Sequence, residues 1–141
     1  MRLSEIYAPG TFGVSFEVFP PKTPEGEVQL FRAIEDLLAF SPTFVSCTFG
    51  AGGSTRDRTL ELICRIRDRF GVRTVAHRTC LGSSAGEIRE WLKRASDLGV
   101  ENVVALRGDP PKDQPDFRPA PDGLAHANQL VALIRREFPR L

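Results

Sequence analysis

The chain has 141 residues, 41% of them hydrophobic and 26% charged, with 19 basic and 18 acidic side chains and a net charge of +1. That length gives one domain with a sizeable core, and the near-zero balance supplies no basic field for nucleic acid or an anionic membrane. Three cysteines without C-x-x-C spacing argue against a disulfide framework or a metal site. The N-terminus lacks a signal-peptide pattern and no apolar run is long enough to span a bilayer, so a cytoplasmic protein is expected.

The first predicted strand is Gly13–Phe19, stopped by Pro20 and Pro21, which cannot continue a hydrogen-bonded ladder. A helix follows from Thr23 or Pro24, with Leu30, Ile34, Leu37 and Leu38 on one face, and ends at Ser41-Pro42. Strand two, Thr43–Phe49, is apolar on both faces, as a buried parallel strand is. Gly50-Ala51-Gly52-Gly53 makes a turn, and Ser54 or Thr55 caps the next helix, with Asp57 in its first turn. Leu60, Ile63, Ile66 and Phe70 share that helix's apolar face and Gly71 closes it. Cys47 and Cys64 read as small buried hydrophobes.

Strand three is Val72–His77. Helix three runs from Ser84 to Leu98, with Glu87 placed for a capping box and Gly99 at its stop. Strand four, Asn102–Leu106, leads into a loop over Asp109–Asp122 rich in Pro and Asp. A last helix covers Leu124–Phe138, with Leu130, Leu133, Ile134 and Phe138 apolar. The order is (βα)₄, read as a single partial domain over residues 1–141.

Polar groups recur where the apolar runs end: Glu17, Thr48, His77 and Arg107-Gly108-Asp109. Successive spacings from Glu17 to Gly108 are 31, 29 and 31 residues, the length of one strand, one helix and two loops. Parallel α/β folds keep their chemistry at the carboxyl ends of strands. Glu17, flanked by Phe16, Val18 and Phe19, reads as an acid in an apolar pocket, suited to proton donation. Gly108 permits close backbone approach to a ligand. Arg107 suits a phosphate or carboxylate and Asp109 the N–H groups of a heterocycle, with an internal Arg107–Asp109 pair as the equal alternative. His77 reads as a hydrogen-bonding residue, structural or in contact with ligand, and not a metal ligand. The glycine-rich turn at 50–53 lacks the Lys of a P-loop.

Taken together, V-S-F-E-V-F-P-P-K at 14–22, F-V-S-C-T-F-G-A at 44–51, R-D-R-T at 56–59, A-H-R-T-C at 76–80 and A-L-R-G-D-P-P at 105–111 resemble the methylenetetrahydrofolate reductase family. The resemblance spans nearly the whole chain. It implies an α/β fold, the (βα)₄ half of a TIM (β/α)₈ barrel, with strands one and four left as open edges. It also implies FAD as cofactor, with NADH or NADPH reducing 5,10-methylenetetrahydrofolate to 5-methyltetrahydrofolate. Glu17 matches the family's acid, which protonates the folate and opens its one-carbon bridge. Asp109 matches the residue that binds the pterin and tunes the flavin. Thr48, Phe49, His77, Arg107 and Gly108 match positions lining the flavin site, and His126-Ala127 falls where the family often has Tyr-Ala beside the flavin. Departures are Phe49 where Tyr is common, and Arg78 in place of an apolar residue. The expected partner is a complementary half barrel or a second copy, and the alternative is a non-catalytic flavin- or folate-binding or assembly module.

Overall fold

Val18, Val45, Cys47, Val75 and Ala76 are all buried, and they mark the parallel strands around which the chain is built. The computed structural model describes residues 3–7, 9–49, 58–110, 117 and 120–141. Its elements are α1 (Leu3–Ile6), β1 (Ser15–Val18), α2 (Pro24–Leu37) with a 3₁₀ turn at Leu38–Phe40, and β2 (Phe44–Cys47). Next come α3 (Arg58–Phe70), β3 (Thr74–Thr79), α4 (Ala85–Asp97), β4 (Val103–Leu106) and α5 (Ala127–Glu137). The strands form an α/β sheet in chain order, β1-β2-β3-β4. The chain divides into two compact units, Met1–His77 and Arg78–Leu141.

In the first unit, β1 and β2 run parallel with Glu17 opposite Ser46 and Val18 opposite Cys47. β2 and β3 are also parallel, with Ser46 opposite Val75 and Cys47 opposite Ala76. Side chains alternate between faces, so Val18, Cys47 and Ala76 share one face while Glu17, Ser46 and Val75 share the other, with Thr48 and His77 two residues further along. α2 starts where Thr23, in extended backbone, accepts the Gly26 N–H and Pro24 supplies the fixed φ of a first helical residue. It buries Phe31 and Ile34, and the Phe31 ring lies 5.9 Å from that of Phe70 on α3. α3 buries Thr59, Leu60, Leu62, Ile63 and Ile66. Its end is set by Gly71, at φ +66°.

In the second unit, α4 begins with the expected capping box. Ser84 Oγ accepts the Glu87 N–H at 3.1 Å, and Glu87 Oε2 accepts the Ser84 N–H at 2.7 Å. Ile88, Trp91, Leu92 and Ala95 on α4 and Leu130, Leu133 and Ile134 on α5 are buried. Arg89 of α4 holds Glu137 of α5 through two hydrogen bonds, at 2.7 and 3.2 Å.

Several boundaries differ from the sequence reading. β3 spans Thr74–Thr79 rather than Val72–His77. The stretch after Gly71 instead reaches β2, where the Arg73 carbonyl accepts the Val45 N–H. His77 is therefore interior to its strand, and Arg78 and Thr79 are strand residues. Phe31 is buried on α2 where Leu30, Leu37 and Leu38 are only partly covered. α5 starts three residues later than expected because His126 is extended, at φ −139°, and acts as the cap. Residues 50–57, including the glycine turn, the Ser54 or Thr55 cap and Asp57, lie outside the described residues, as does much of the Asp109–Asp122 loop. No helix among the described residues is long and apolar enough to cross a membrane.

Candidate functional site

The first unit brings two of the expected residues together. Glu17 Oε2 lies 3.4 Å from His77 Nε2, within ion-pairing distance, and the Glu17 side chain is 50% exposed where that of His77 is 10%. Glu17 thus departs from the expected apolar pocket. Its neighbours in sequence do not enclose it, because strand alternation sends Phe16 and Val18 to the opposite face. Phe16 stands edge-on to Phe40, Val18 is buried, and Phe19 beyond the strand is largely exposed. The polar surroundings of Glu17 come from β2 and β3 instead.

Burial pushes the His77 imidazole below its ordinary pKa, and the Glu17 charge partly offsets that push. His77 is therefore neutral at pH 7. Cys47, in the adjacent strand, has its thiol pushed up to about 12, first by burial and then by the Glu17 charge. No second charge therefore arises at Cys47 to compete for Glu17.

Thr48 follows β2 and is tied through its backbone. Its N–H donates to the Val18 carbonyl, and its carbonyl accepts the Thr59 hydroxyl from α3, both at 3.0 Å. Among the described residues no hydrogen bond occupies the Thr48 side-chain hydroxyl. Phe49 is half-buried. Two clefts open between α2 and α3, one of about 90 Å³ lined by Pro20, Pro21, Glu27, Arg58, Glu61, Leu62 and Arg65, the other of about 170 Å³ beside Phe31. Neither includes Glu17, Thr48 or His77.

In the second unit, the residues after β4 form a turn fixed by backbone bonds. The Leu106 and Arg107 carbonyls accept the Cys80 and Leu81 N–H groups at 3.0 and 2.8 Å. Arg107 Nε donates to the Ala125 carbonyl at 3.2 Å, so the guanidinium turns to the segment preceding α5. No ion pair joins Arg107 to Asp109 among the described residues, and both side chains are exposed. Gly108 sits at φ +81°, a conformation costly to any residue with a Cβ. His126 and Ala127 form the start of α5, where Gln129 Oε1 accepts the N–H groups of Ala125 and His126 at 2.7 and 3.0 Å. Arg107 and His126 are thus both attached to the same short segment.

Sequence reasoning missed the environment of Arg78. This guanidinium is 2% exposed, lies 5.3 Å from the centre of the Trp91 ring and donates to Ser83 Oγ at 3.2 Å. The only signal in the sequence is an Arg inside an otherwise apolar strand. Among the described residues, no three His, Cys, Asp or Glu side chains are grouped to hold a metal ion.

Comparison with known proteins gives these residues a context. The family model described as methylenetetrahydrofolate reductase matches residues 2–140. The chain is 39% identical over 137 residues to methylenetetrahydrofolate reductase (NADH) 1 of Arabidopsis thaliana, covering 97% of this chain and 23% of the relative. It is 38% identical over 128 residues to 5,10-methylenetetrahydrofolate reductase of Escherichia coli K12, covering 89% of this chain and 40% of that protein. Methylenetetrahydrofolate reductase 1 of Schizosaccharomyces pombe is 39% identical over 125 residues, with 88% and 21% covered.

Proposed function

The chain belongs to the methylenetetrahydrofolate reductase family, and from that premise we propose that it supplies the first four β/α units of an FAD-dependent reductase. That enzyme converts 5,10-methylenetetrahydrofolate to 5-methyltetrahydrofolate at the expense of NADH or NADPH. The chain spans between about a fifth and two fifths of the relatives it matches, and the reaction proposed is that of the whole barrel, whose remaining strands complete the site.

The observation that carries this reading is the placement of Glu17, with its carboxylate on the same sheet face as the buried His77 and half open to solvent. As the acid, Glu17 gives its proton to the nitrogen that leaves when the one-carbon bridge of the folate opens. The C–N bond breaks toward that nitrogen, and the carbon left attached to the other nitrogen becomes the electrophile that accepts hydride. Half exposure lets Glu17 regain its proton from solvent.

Each unit carries groups that suit a flavin. Arg107 and the backbone at Gly108 offer donors to the carbonyl oxygens of the ring or to a phosphate, Thr48 offers a hydroxyl, and Phe49 and Ala127 offer apolar contact. His77 lies on the Thr48 face of the first unit, His126 precedes Ala127 in the second, and Asp109 is the exposed carboxylate that would bind the pterin's N–H groups. When bound, FAD supplies the hydride relay between nicotinamide and folate.

The test combines the chain with a complementary C-terminal half. Flavin absorbance and folate-dependent NAD(P)H oxidation are expected from the pair, and Glu17→Gln should retain the flavin but abolish turnover. Undiminished turnover in Glu17→Gln would remove Glu17 as the acid. A chain that binds flavin or folate yet never supports turnover with any complementary half is a binding or assembly module instead.

A further inference from the structure

We propose that His77 is the positioning residue for Glu17, an imidazole fixed in β3 that holds the carboxyl group in place in both of its protonation states. The proposal rests on Glu17 being the acid and deepens that reading.

The two side chains differ sharply in freedom. His77 is 10% exposed, carried on a strand with Val75 and Ala76 buried beside it, whereas Glu17 is 50% exposed on a strand paired within the sheet on one side only. A half-exposed glutamate on such a strand samples several rotamers unless a fixed partner selects one. The pairing register puts Ser46, Thr48, Val75 and His77 on the Glu17 face. Of these, His77 reaches ion-pairing distance, 3.4 Å from Oε2. Rotation of the freer partner closes that separation to a hydrogen bond, as occurs commonly when substrate enters a site.

The chemistry favours histidine for this task. An acid that donates a proton and recovers it alternates between a carboxylate, which only accepts hydrogen bonds, and a carboxylic acid, which also donates one. Lys and Arg are donors only and cationic, so they would hold Glu17 as the carboxylate. A neutral imidazole donates from one nitrogen or accepts at it according to tautomer, without change of charge. The groups facing this pair within the first unit leave that balance undisturbed. Ser46 and Thr48 are uncharged, and on the opposite face of β2 burial keeps the Cys47 thiol protonated.

The experiment uses the 141-residue chain and needs neither flavin nor turnover. In NMR spectra of wild-type protein, the two Glu17 γ-protons should have distinct shifts, as for a single held rotamer. His77→Gln, whose amide both donates and accepts, should preserve that difference. His77→Phe, of similar size but with no polar atom, should collapse it. Glu17→Gln should move the His77 titration midpoint downward, because it removes the charge that raises it. If His77→Phe does not fold, the Glu17→Gln titration decides alone. Degenerate γ-protons in the wild type, or a His77 midpoint unmoved by Glu17→Gln, overturns the proposal. Retained turnover of Glu17→Gln in the reconstituted enzyme would instead remove Glu17 as the acid, while the NMR coupling stood.

Discussion

Gly108 lies so close to Thr79 that a Cβ built on it would come 3.0 Å from the Thr79 Cβ and 3.2 Å from its methyl carbon. The glycine also adopts φ +81°. Two penalties therefore coincide at the turn after β4: left-handed backbone and a contact with the Thr79 Cβ, an atom that no change of side-chain rotamer moves away. Gly71 at φ +66° bears the first penalty alone, since nothing lies within 4 Å of the place a Cβ would take there. Gly108→Ala should cost about 2–4 kcal/mol and Gly71→Ala about 1–2 kcal/mol, read as urea midpoints. Equal losses would show that Thr79 yields and that backbone conformation alone requires glycine at 108.

What the sequence could reveal depended on whether a residue's environment is local. β2 was legible because both of its faces are buried and its run is apolar apart from Ser46, and the α4 start because Ser84 and Glu87 satisfy each other within three residues. Glu17 was placed correctly near a strand end, but its surroundings were read from its sequence neighbours. In a strand those neighbours face the other way, and the group that reaches Glu17 is His77, sixty residues on. The seating of Arg78 over Trp91 was equally out of reach, because it depends on how β3 and α4 pack. α1, four residues long, is too short to carry a periodic signal.

The Ser84–Glu87 box makes its own prediction. Ser84→Ala removes the acceptor of the Glu87 N–H and leaves that donor at the helix start without its side-chain partner. A loss of about 0.5–2 kcal/mol is expected, and Ser84→Asp should restore most of it because aspartate caps as well as serine. The urea midpoints of the two variants check this; a Ser84→Asp chain no more stable than Ser84→Ala would mean that the cap contributes nothing.

Thiol chemistry should separate the three cysteines. Cys47 and Cys80 are fully buried and burial raises both thiols, Cys47 to about 12, so neither presents a reactive thiolate near neutral pH. Cys64 on α3 is partly exposed. Iodoacetamide at pH 8 should modify Cys64 first in the native chain and all three in denaturant, as peptide mass spectrometry would record. Labelling of Cys47 at a rate matching Cys64 would contradict the packing of β2.

Stability should fall with pH in two separate windows. His77 has a folded pKa below its ordinary 6.5, so between those two values the unfolded chain binds the proton and the folded chain does not. Its contribution is complete above about 6.5 and is lost as pH drops toward the lower folded value. Glu137 behaves as a held carboxylate. Hydrogen bonds from Arg89, then Arg136, bring it from 4.5 to about 2, so its contribution is present above 4.5 and is lost between 4.5 and about 2. It is a surface group, screened by water and salt, so the lower window should be shallow and should flatten further at high ionic strength. Urea midpoints measured against pH should therefore lose the upper step in His77→Gln and the lower one in Glu137→Gln. Glu17→Gln should deepen the upper step, because the carboxylate that partly offsets the burial of His77 is gone. An upper step that survives His77→Gln unchanged would assign it to another group.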